Sequence, residues 1–344
     1  MTIKKRLIQG AAVLALVATA QAQAQEVLLK VHHIWPTVAM GHSRVVVPWC
    51  EAIAKDSNNR MRCQILPAMT GGGTPAQLVD RVKDGVDDLV VTLPGYTPGR
   101  FVHTQMTELP FLGNSAETIS VALSRVSSKY PEFAAEHQGV KVISLFSHGP
   151  GMVFNVKRPI TKVDDLAGLK FRVGGGMVNE MSKALNMNVT LKPAPDSYEL
   201  LSSGVMDGTL FPAESTESFR IDKIIKHATT FPGGMYNTSF VFMMNQAKYE
   251  KLSADDKKAV DAISGETAAR IFGRGWDKVD RRAFALMQVN NVLVTKADAS
   301  FVADVKTKTS SLEQNWIAAS KAKGLKDPAK VLAEFRGEIA KLEK

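Results

Sequence analysis

Cysteine, aromatic residues and long apolar runs are all scarce in this chain. Of its 344 residues two are cysteine and 7% are aromatic, while 45% are hydrophobic and 22% are charged. These proportions are typical of a globular protein, and the length suggests about two domains. After residue 24 no apolar run approaches the roughly 20 residues that span a bilayer, so we expect a soluble mature protein.

The short motifs that mark common catalytic and cofactor sites are absent from the sequence. It has no Gly-x-Ser-x-Gly, Walker loop, Gly-x-Gly-x-x-Gly, Cys-x-x-Cys or His-Glu-x-x-His. His32 and His33 are adjacent on a predicted strand, so their side chains face opposite ways and are poorly placed to chelate one metal. We therefore expect no cofactor, nucleotide or metal site.

Positive charge is in excess but is not concentrated. The net charge of +9 comes from lysines and arginines spread along the whole chain. There is no dense basic tract and no basic motif with interleaved aromatic residues, so nucleic acid is not an expected partner.

The first residues differ from the rest of the chain. Three basic residues, Lys4–Arg6, precede an apolar run from about Ala11 to Ala20, and residues 20–24 offer two small-x-small cleavage sites. This layout is typical of a bacterial secretory signal peptide. The sequence therefore predicts a signal peptide over residues 1–24 and export to the periplasm.

The two cysteines fall in neighbouring predicted elements. Cys50 lies near the middle of the first predicted helix, about Ser43 to Asp56, and Cys63 lies in the strand that follows. Export places both in an oxidising compartment, and the short return between the elements favours a disulfide. Two free thiols are the alternative, because the sequence does not give the distance between the two side chains.

Strands and helices alternate along the chain, which predicts an α/β fold with largely parallel sheets. A Ser-x-x-Asp cap at 253–256 opens a long helical pattern that runs to about Met287, long enough to cross two domains. Two helices broken at Gly273 and Gly275 are the alternative. The expected strands are Val27–His33, Met61–Leu66, Asp88–Leu93, Lys141–Ser147, Met152–Val156, Lys170–Val173, Val189–Leu191 and Phe240–Met244.

One arginine stands where such a fold places an anion site. Arg172 lies at the end of the strand 170–173, and three glycines separate that strand from a helix expected to begin at Met177. Ligands of open α/β sheets bind beyond the carboxyl ends of strands, and free N–H groups at a helix start suit an anion. A guanidinium also binds a carboxylate through two parallel hydrogen bonds. Arg172 is the main candidate anchor, and an exposed arginine that only improves solubility is the alternative.

Several segments spread over almost the whole mature chain together resemble one family. They are Leu66–Gly73, Asp84–Asp87, the LPFL element Leu109–Leu112 with Glu108, Asp165–Val173, Ser203–Gly208, Met244-Asn245 and Leu252-Ser253. In this order they resemble the substrate-binding proteins of TRAP transporters, of the DctP type. The resemblance implies a two-lobed clamshell fold with the ligand in the cleft, and Arg172 as the arginine that binds the ligand's carboxylate. It also implies delivery to a membrane permease driven by an ion gradient, and it does not imply ATP hydrolysis.

The expected boundaries follow from this fold, in which each lobe has a mostly parallel sheet flanked by helices. Residues 25–149 form the first part of lobe I, and residues 150–238 form the first part of lobe II. Residues 239–275 return to lobe I with a strand and the start of a long helix spanning both lobes. Residues 276–344 belong to lobe II and the C-terminal helices.

Two positions depart from the family pattern. Some members carry a second binding arginine in the segment that here reads Ser147–Met152, where no arginine occurs. His148 either substitutes for it in part or is a surface residue near the hinge. Some members have an asparagine where this chain has Phe211, which either faces the ligand or belongs to the core. Both departures favour a monocarboxylate with an apolar or aromatic body over a polyanion or a sugar acid.

Further cleft candidates lie at strand ends and before the return strand. Trp35 and Tyr96 form either an aromatic wall of the site or part of the rim or core. Asn237 either binds the ligand or turns the chain, and Glu214 is left out because a buried glutamate beside Arg172 would compete for it. The full set of these candidates is His33, Trp35, Thr92, Tyr96, Tyr236 and Asn237.

These features predict a periplasmic receptor that captures a small organic carboxylate and is not an enzyme. An exported α/β enzyme acting on a similar acid is one alternative. A ligand-sensing subunit that passes its signal to a partner other than a permease is another.

Overall fold

Two β-sheets, each flanked by helices, make up the two lobes of the computed structural model, which describes residues 26–343. The signal peptide expected over residues 1–24 lies outside the described residues. Within the described range no helix is long and apolar enough to cross a membrane.

The strands expected from the sequence are present, some with shifted ends, together with additional strands in lobe II. In chain order the strands are β1 (Val27–His33), β2 (Met61–Leu66), β3 (Leu89–Thr92), β4 (Val140–Ser147), β5 (Met152–Asn155), β6 (Lys170–Val173), β7 (Asn188–Leu191), β8 (Gly208–Phe211), β9 (His227–Thr230), β10 (Ser239–Asn245) and β11 (Leu293–Lys296).

The helices are mostly short, with one long exception. The α-helices are α1 (Val47–Asp56), α2 (Leu78–Lys83), α3 (Ala116–Lys129), α4 (Pro131–Glu136), α5 (Met177–Ala184), α6 (Ser197–Ser202), α7 (Ser215–Ser218), α8 (Gln246–Glu250), α9 (Ala254–Ala262), α10 (Gly265–Val289), α11 (Ala299–Lys308), α12 (Ser311–Ala322) and α13 (Pro328–Leu342). A π-helical segment (Gly41–Val46) precedes α1, and the 3-10 turns are Pro75–Gln77, Pro94–Tyr96, Thr104–Glu108, Val163–Leu166 and Ala194–Asp196.

Each sheet is parallel except for one strand. Lobe I has the order β2-β1-β3-β10-β4, in which β10 is antiparallel to both neighbours. Lobe II has the order β11-β9-β5-β8-β6-β7, in which β5 is the reversed strand. The expected mostly parallel sheets are therefore confirmed. The nearly continuous apolar sequence of β10 fits its central position, because both of its faces are covered.

The reversed strands are the ones that follow each crossing between the lobes. The chain leaves β4 through residues 148–151 to enter β5, and it returns through residues 231–238 to enter β10. The two crossing segments pair with each other: Gly151 N–H donates to Tyr236 O at 2.8 Å, and Met235 N–H donates to Gly151 O at 3.0 Å. A side chain at Gly151 would collide with the Tyr236 ring, so this close pairing requires glycine there. The pair of segments forms the hinge.

The long helix α10 is the third connection between the lobes. It begins at Gly265, after a break from α9, and continues without interruption through both candidate break points, Gly273 and Gly275. Gly273 instead lets α10 approach α3, because a Cβ there would overlap the backbone of Glu117. The helix packs on α3 and β4 of lobe I and reaches β11 of lobe II.

The C-terminal helices connect to both lobes. Helix α11 packs near the turn Val163–Leu166 of lobe II, whereas α13 packs against α3 of lobe I. In α12 the Trp316 Nε1–H donates to Val102 O of lobe I at 2.9 Å. Of the C-terminal helices, α13 therefore packs on lobe I.

A disulfide joins α1 to β2 in lobe I. Cys50 and Cys63 are bonded, and their Cα atoms are 5.7 Å apart. The described residues contain no free cysteine. The bond fastens an edge strand of the lobe I sheet to the helix that precedes it.

Direct hydrogen bonds cross the cleft, so the lobes are closed in this structure. Ala194 N–H of lobe II donates to the Tyr96 hydroxyl of lobe I at 3.0 Å. Met40 N–H of lobe I donates to Ser218 Oγ of lobe II at 3.1 Å.

Glu108 forms a third bridge across the cleft. It ends a 3-10 turn of lobe I, and its Oε2 accepts a hydrogen bond from Met177 N–H at the start of α5 in lobe II, at 2.9 Å. Its Oε1 accepts from Ser239 Oγ at 2.7 Å. Burial raises the pKa of this carboxyl to about 7, although the hydrogen bonds from Met177 and Ser239 act in the opposite direction.

Gly273→Ala tests the close crossing of α3 and α10. In an ordinary helix interior this change stabilises by about 0.5–1 kcal/mol. Here the added methyl group meets backbone, so we expect the free energy of unfolding in urea to fall by about 1–3 kcal/mol. Gly337→Ala in α13 is the matched control, because nothing lies within 4 Å of its Cβ position, and it should stabilise the protein. Equal gains at both sites would contradict the crossing.

Glu108→Gln tests the buried carboxyl between the lobes. Its pKa rises from 4.5 to about 7 on folding, so the folded protein binds a proton that the unfolded chain releases between those pH values. This stabilisation is complete below about pH 4.5 and is lost as the pH rises through about 7. In wild type this carboxyl should change the free energy of unfolding by up to about 3 kcal/mol between those pH values, and we expect the variant to lack this change.

The measurement is urea unfolding at several pH values, with the exposed Glu199→Gln as the charge-matched control. If the free energies of unfolding of wild type and Glu108→Gln depend on pH in the same way, burial does not raise the pKa of the Glu108 carboxyl.

Candidate functional site

A cleft between the lobes has walls from both sheets, the hinge and α10. The space between its lining atoms, with the open mouth included, is about 520 Å³. Lobe I contributes the ends of β1 and β3, and lobe II contributes the ends of β6 and β8. Most of the large lining side chains are aromatic: Trp35, Phe211, Phe219, Tyr236, Phe240 and Trp276.

Arg172 lies at the carboxyl end of β6 and lines this cleft. Its side chain is only 2% exposed. Its Nε–H donates to Lys192 O at 2.8 Å, and its guanidinium carbon lies 4.6 Å from the centre of the Phe211 ring. The backbone bond and the ring fix the plane of the guanidinium and leave its terminal N–H groups available to a ligand.

No acidic side chain forms a salt bridge with Arg172 among residues 26–343. Burial lowers the pKa of the guanidinium, and its interactions with the Tyr96 and Tyr236 hydroxyls only partly offset this effect. An arginine nevertheless stays charged in a protein. The negative charge of Asp196 also offsets part of the effect of burial. A buried cation without a salt-bridge partner is costly, so the site suits an anion.

The first N–H of α5 is already occupied by the protein itself. The N–H of Met177 already donates to Glu108 Oε2. The protein's own carboxylate thus occupies the end of α5 that attracts anions. Gly174 lies beside Arg172, because a Cβ there would be 3.4 Å from its Nη2. A ligand carboxylate is therefore left mainly to Arg172.

Five of the expected binding residues line the cleft. Phe211 lies against the guanidinium and stacks on Phe219, with ring centres 5.4 Å apart. Trp35 packs near Phe240 and Trp276. The five residues are Arg172, Phe211, Trp35, His148 and Tyr236.

Tyr96 lies beside Arg172 without forming part of the wall. Burial raises the pKa of its hydroxyl, while the nearby charge of Arg172 lowers it. The same hydroxyl accepts the hydrogen bond from Ala194 across the cleft. Its role in the structure is to support the anchor and hold the lobes together.

The remaining expected residues, His33, Thr92 and Asn237, do not line the cleft. His33 Nδ1 accepts from Trp35 N–H at 3.2 Å, so it orients the chain at the end of β1. Thr92 is buried in β3, and the following Leu93 lines the cleft instead. Asn237 Nδ2 donates to the carbonyls of His148 and Gly149, both at 2.9 Å, and holds the hinge.

His148 is buried and does not supply a second cation. Burial lowers its pKa to about 4, although its hydrogen bond to Gly149 O raises it. The ring is therefore neutral at ordinary pH. His148 is therefore not the surface residue of the alternative interpretation.

Glu214 and Trp276 are cleft residues that sequence reasoning missed. Glu214 does not compete for Arg172, because its oxygens accept from Ser215 Oγ at 2.8 Å and Ser218 Oγ at 2.6 Å. Burial raises the pKa of Glu214 to about 7. Trp276 projects from the middle of α10, and the expectation of a helix crossing both lobes was the signal that could have found it.

The arrangement suits binding and offers little for catalysis. Within the described part of the chain no group of histidine, cysteine, aspartate and glutamate side chains is placed to hold a metal ion. The cleft combines one buried charge with an apolar wall, which is how small-molecule sites fix orientation with few polar groups.

Comparison with known proteins agrees with this geometry. Residues 31–319 match the DctP family model, described as bacterial extracellular solute-binding protein, family 7. A TRAP periplasmic solute-binding protein from Bordetella bronchiseptica, solved with bound (R)- and (S)-mandelate, is 38% identical with a TM-score of 0.87. The similarity covers 92% of this chain and 99% of that one.

Two further solved structures are similar over nearly their full length. A marine metagenome TRAP protein, described as specific for aromatic acids and solved with 3-hydroxybenzoate, is 36% identical with a TM-score of 0.88, covering 93% of this chain and 100% of that one. One from Rhodoferax ferrireducens, solved with copurified benzoate, is 30% identical with a TM-score of 0.87, covering 92% and 98%.

The family match spans most of the described chain, and these relatives share its two-lobed fold. They are transport proteins and not enzymes. This chain belongs to the DctP family of extracellular solute-binding proteins, which serve TRAP transporters.

Proposed function

We propose that this protein captures an aromatic monocarboxylate and delivers it to a TRAP membrane permease. The observation that carries the proposal is the buried guanidinium of Arg172, which has no salt-bridge partner in the described chain and opens onto a cleft walled by aromatic rings. The ligand carboxylate supplies the missing counter-charge. The rings supply contact area to an aromatic body.

The charge balance of the cleft favours a single carboxylate. Arg172 is the one cation of its lining, because His148 is neutral. A second ligand carboxylate would lie near Glu214 or the aromatic wall without a counter-charge, at a large desolvation cost. The three similar structures were solved with mandelate, 3-hydroxybenzoate or benzoate, all aromatic acids with one carboxyl group.

We also propose that the protein is exported and meets both its ligand and the permease outside the cytoplasm. Residues 1–24 have the layout of a signal peptide, which would place the mature protein in the periplasm. The family implies a permease driven by an ion gradient. The closed lobes exclude water from the cleft, which strengthens the charge pair until the permease opens them.

Arg172→Ala and Arg172→Lys test the anchor. A hydrogen bond to a charged group is worth about 1.5–3 kcal/mol, so we expect both variants to bind benzoate and mandelate at least about tenfold more weakly. Lysine keeps the charge but loses the fork and the Nε bond to Lys192 O. Tryptophan fluorescence or calorimetric titration measures the affinities.

Arg336→Ala is the control, because it removes the same charge from the exposed face of α13, where Arg336 pairs with Glu313. Its affinities should equal those of wild type. Unchanged binding in both Arg172 variants would overturn the anchor. Mass spectrometry of ligand retained through purification would identify the acid, and recovery of a chemically altered acid would contradict a receptor role.

A further inference from the structure

The Nε2 atom of His148, in the aromatic part of the cleft, has no role in the contacts described so far. His148 lines the cleft, and its Nδ1 is 2.5 Å from Gly149 O. A carbonyl oxygen only accepts, so Nδ1 carries the proton and Nε2 has a free lone pair. Within residues 26–343, the part described, no side chain or backbone group bonds to Nε2.

The hinge fixes this tautomer. Gly149 O also accepts from Asn237 Nδ2, which anchors the carbonyl that orients the imidazole. With the ring neutral, Nε2 is an acceptor without a charge. Such an atom attracts a hydroxyl group and gives no favourable contact to a second carboxylate.

The position of His148 relative to Arg172 suits a small aromatic acid. The Tyr236 ring stands edge-on to the His148 ring, with centres 5.5 Å apart. Burial raises the pKa of the Tyr236 hydroxyl, and the positive charge of Arg172 lowers it by a smaller amount. Tyr236 is therefore near both residues, and all three line the same cleft, so an acid bound to Arg172 shares that cleft with His148.

Glu214 does not provide the same acceptor. Both of its oxygens already accept hydrogen bonds from Ser215 and Ser218. Within residues 26–343, His148 Nε2 is thus a lining acceptor with no hydrogen-bond partner of its own.

We propose that His148 Nε2 accepts a hydrogen bond from a hydroxyl group of the bound acid, so that the protein prefers hydroxylated aromatic acids to their unsubstituted analogues. This inference rests on the proposed function. The hydroxyl belongs either to the ring, as in 3-hydroxybenzoate, or to the side chain, as in mandelate. Among the relatives described above, two were solved with such hydroxy acids and one with benzoate.

The test is titration of matched pairs of ligands: 3-hydroxybenzoate against benzoate, and mandelate against phenylacetate. We expect wild type to prefer the hydroxylated member of at least one pair by about tenfold. The pair that shows the preference identifies whether a ring or a side-chain hydroxyl is read.

His148→Phe should reduce the preference to about twofold or less, and the ratio of the two affinities is the readout, whatever happens to the affinity for the unsubstituted acid. His148→Gln, which retains an acceptor, should restore part of the preference. His137→Phe is the matched control, because His137 is also buried and its Nδ1 bonds to a backbone carbonyl, Phe133 O at 2.8 Å, outside the cleft. It should keep the wild-type preference.

A measurement on the unmodified protein covers the case in which the variants do not fold. The ¹⁵N resonance of His148 Nε2 should shift on binding of the hydroxy acid and not on binding of its analogue. Equal affinities for both members of both pairs in wild type would overturn this inference and leave the proposed function standing. Binding of none of the four acids would overturn both.

Discussion

The buried charge of Arg172 is the constraint on which the rest of the cleft depends. A guanidinium that is 2% exposed and forms no salt bridge within residues 26–343 is tolerated only with substitutes for water. Lys192 O and the Phe211 ring provide part of that substitution. A bound carboxylate completes it, and the energy released favours the closed arrangement of the lobes. Ligand recognition and domain closure therefore have the same physical origin.

The protein keeps its own acids away from this charge. Glu108 sits on the first N–H of α5, and Glu214 is held by two serine hydroxyls. Each carboxyl lies within a few residues of the cleft wall and could compete with the ligand if it turned toward Arg172. Their hydrogen bonds hold them elsewhere, which leaves the anchor vacant for a solute and also links the two lobes through Glu108.

Strands and helices could be predicted from the sequence more accurately than the directions in which their side chains point. The bounds of β1, β2 and β6 are as expected from the sequence. The place of Arg172 could be predicted from the sequence, because it depends on where a strand ends before a glycine turn and not on how side chains pack. His33, Thr92 and Asn237 lie outside the cleft lining, because one residue of offset along a strand or hinge reverses the face. Trp276 depends on how a distant helix crosses the hinge, which no local pattern encodes.

The placement of β10 has a consequence for how the chain acquires its structure. This strand lies between β3 and β4, yet it begins 92 residues after the end of β4 and 147 after the end of β3. Until it arrives, the lobe I sheet has a gap and two unpaired edges, which cannot be satisfied within the lobe. The lobe I sheet can therefore be completed only after residues 239–245 have been synthesised, when the strands of lobe II from β5 to β9 are already present in the chain.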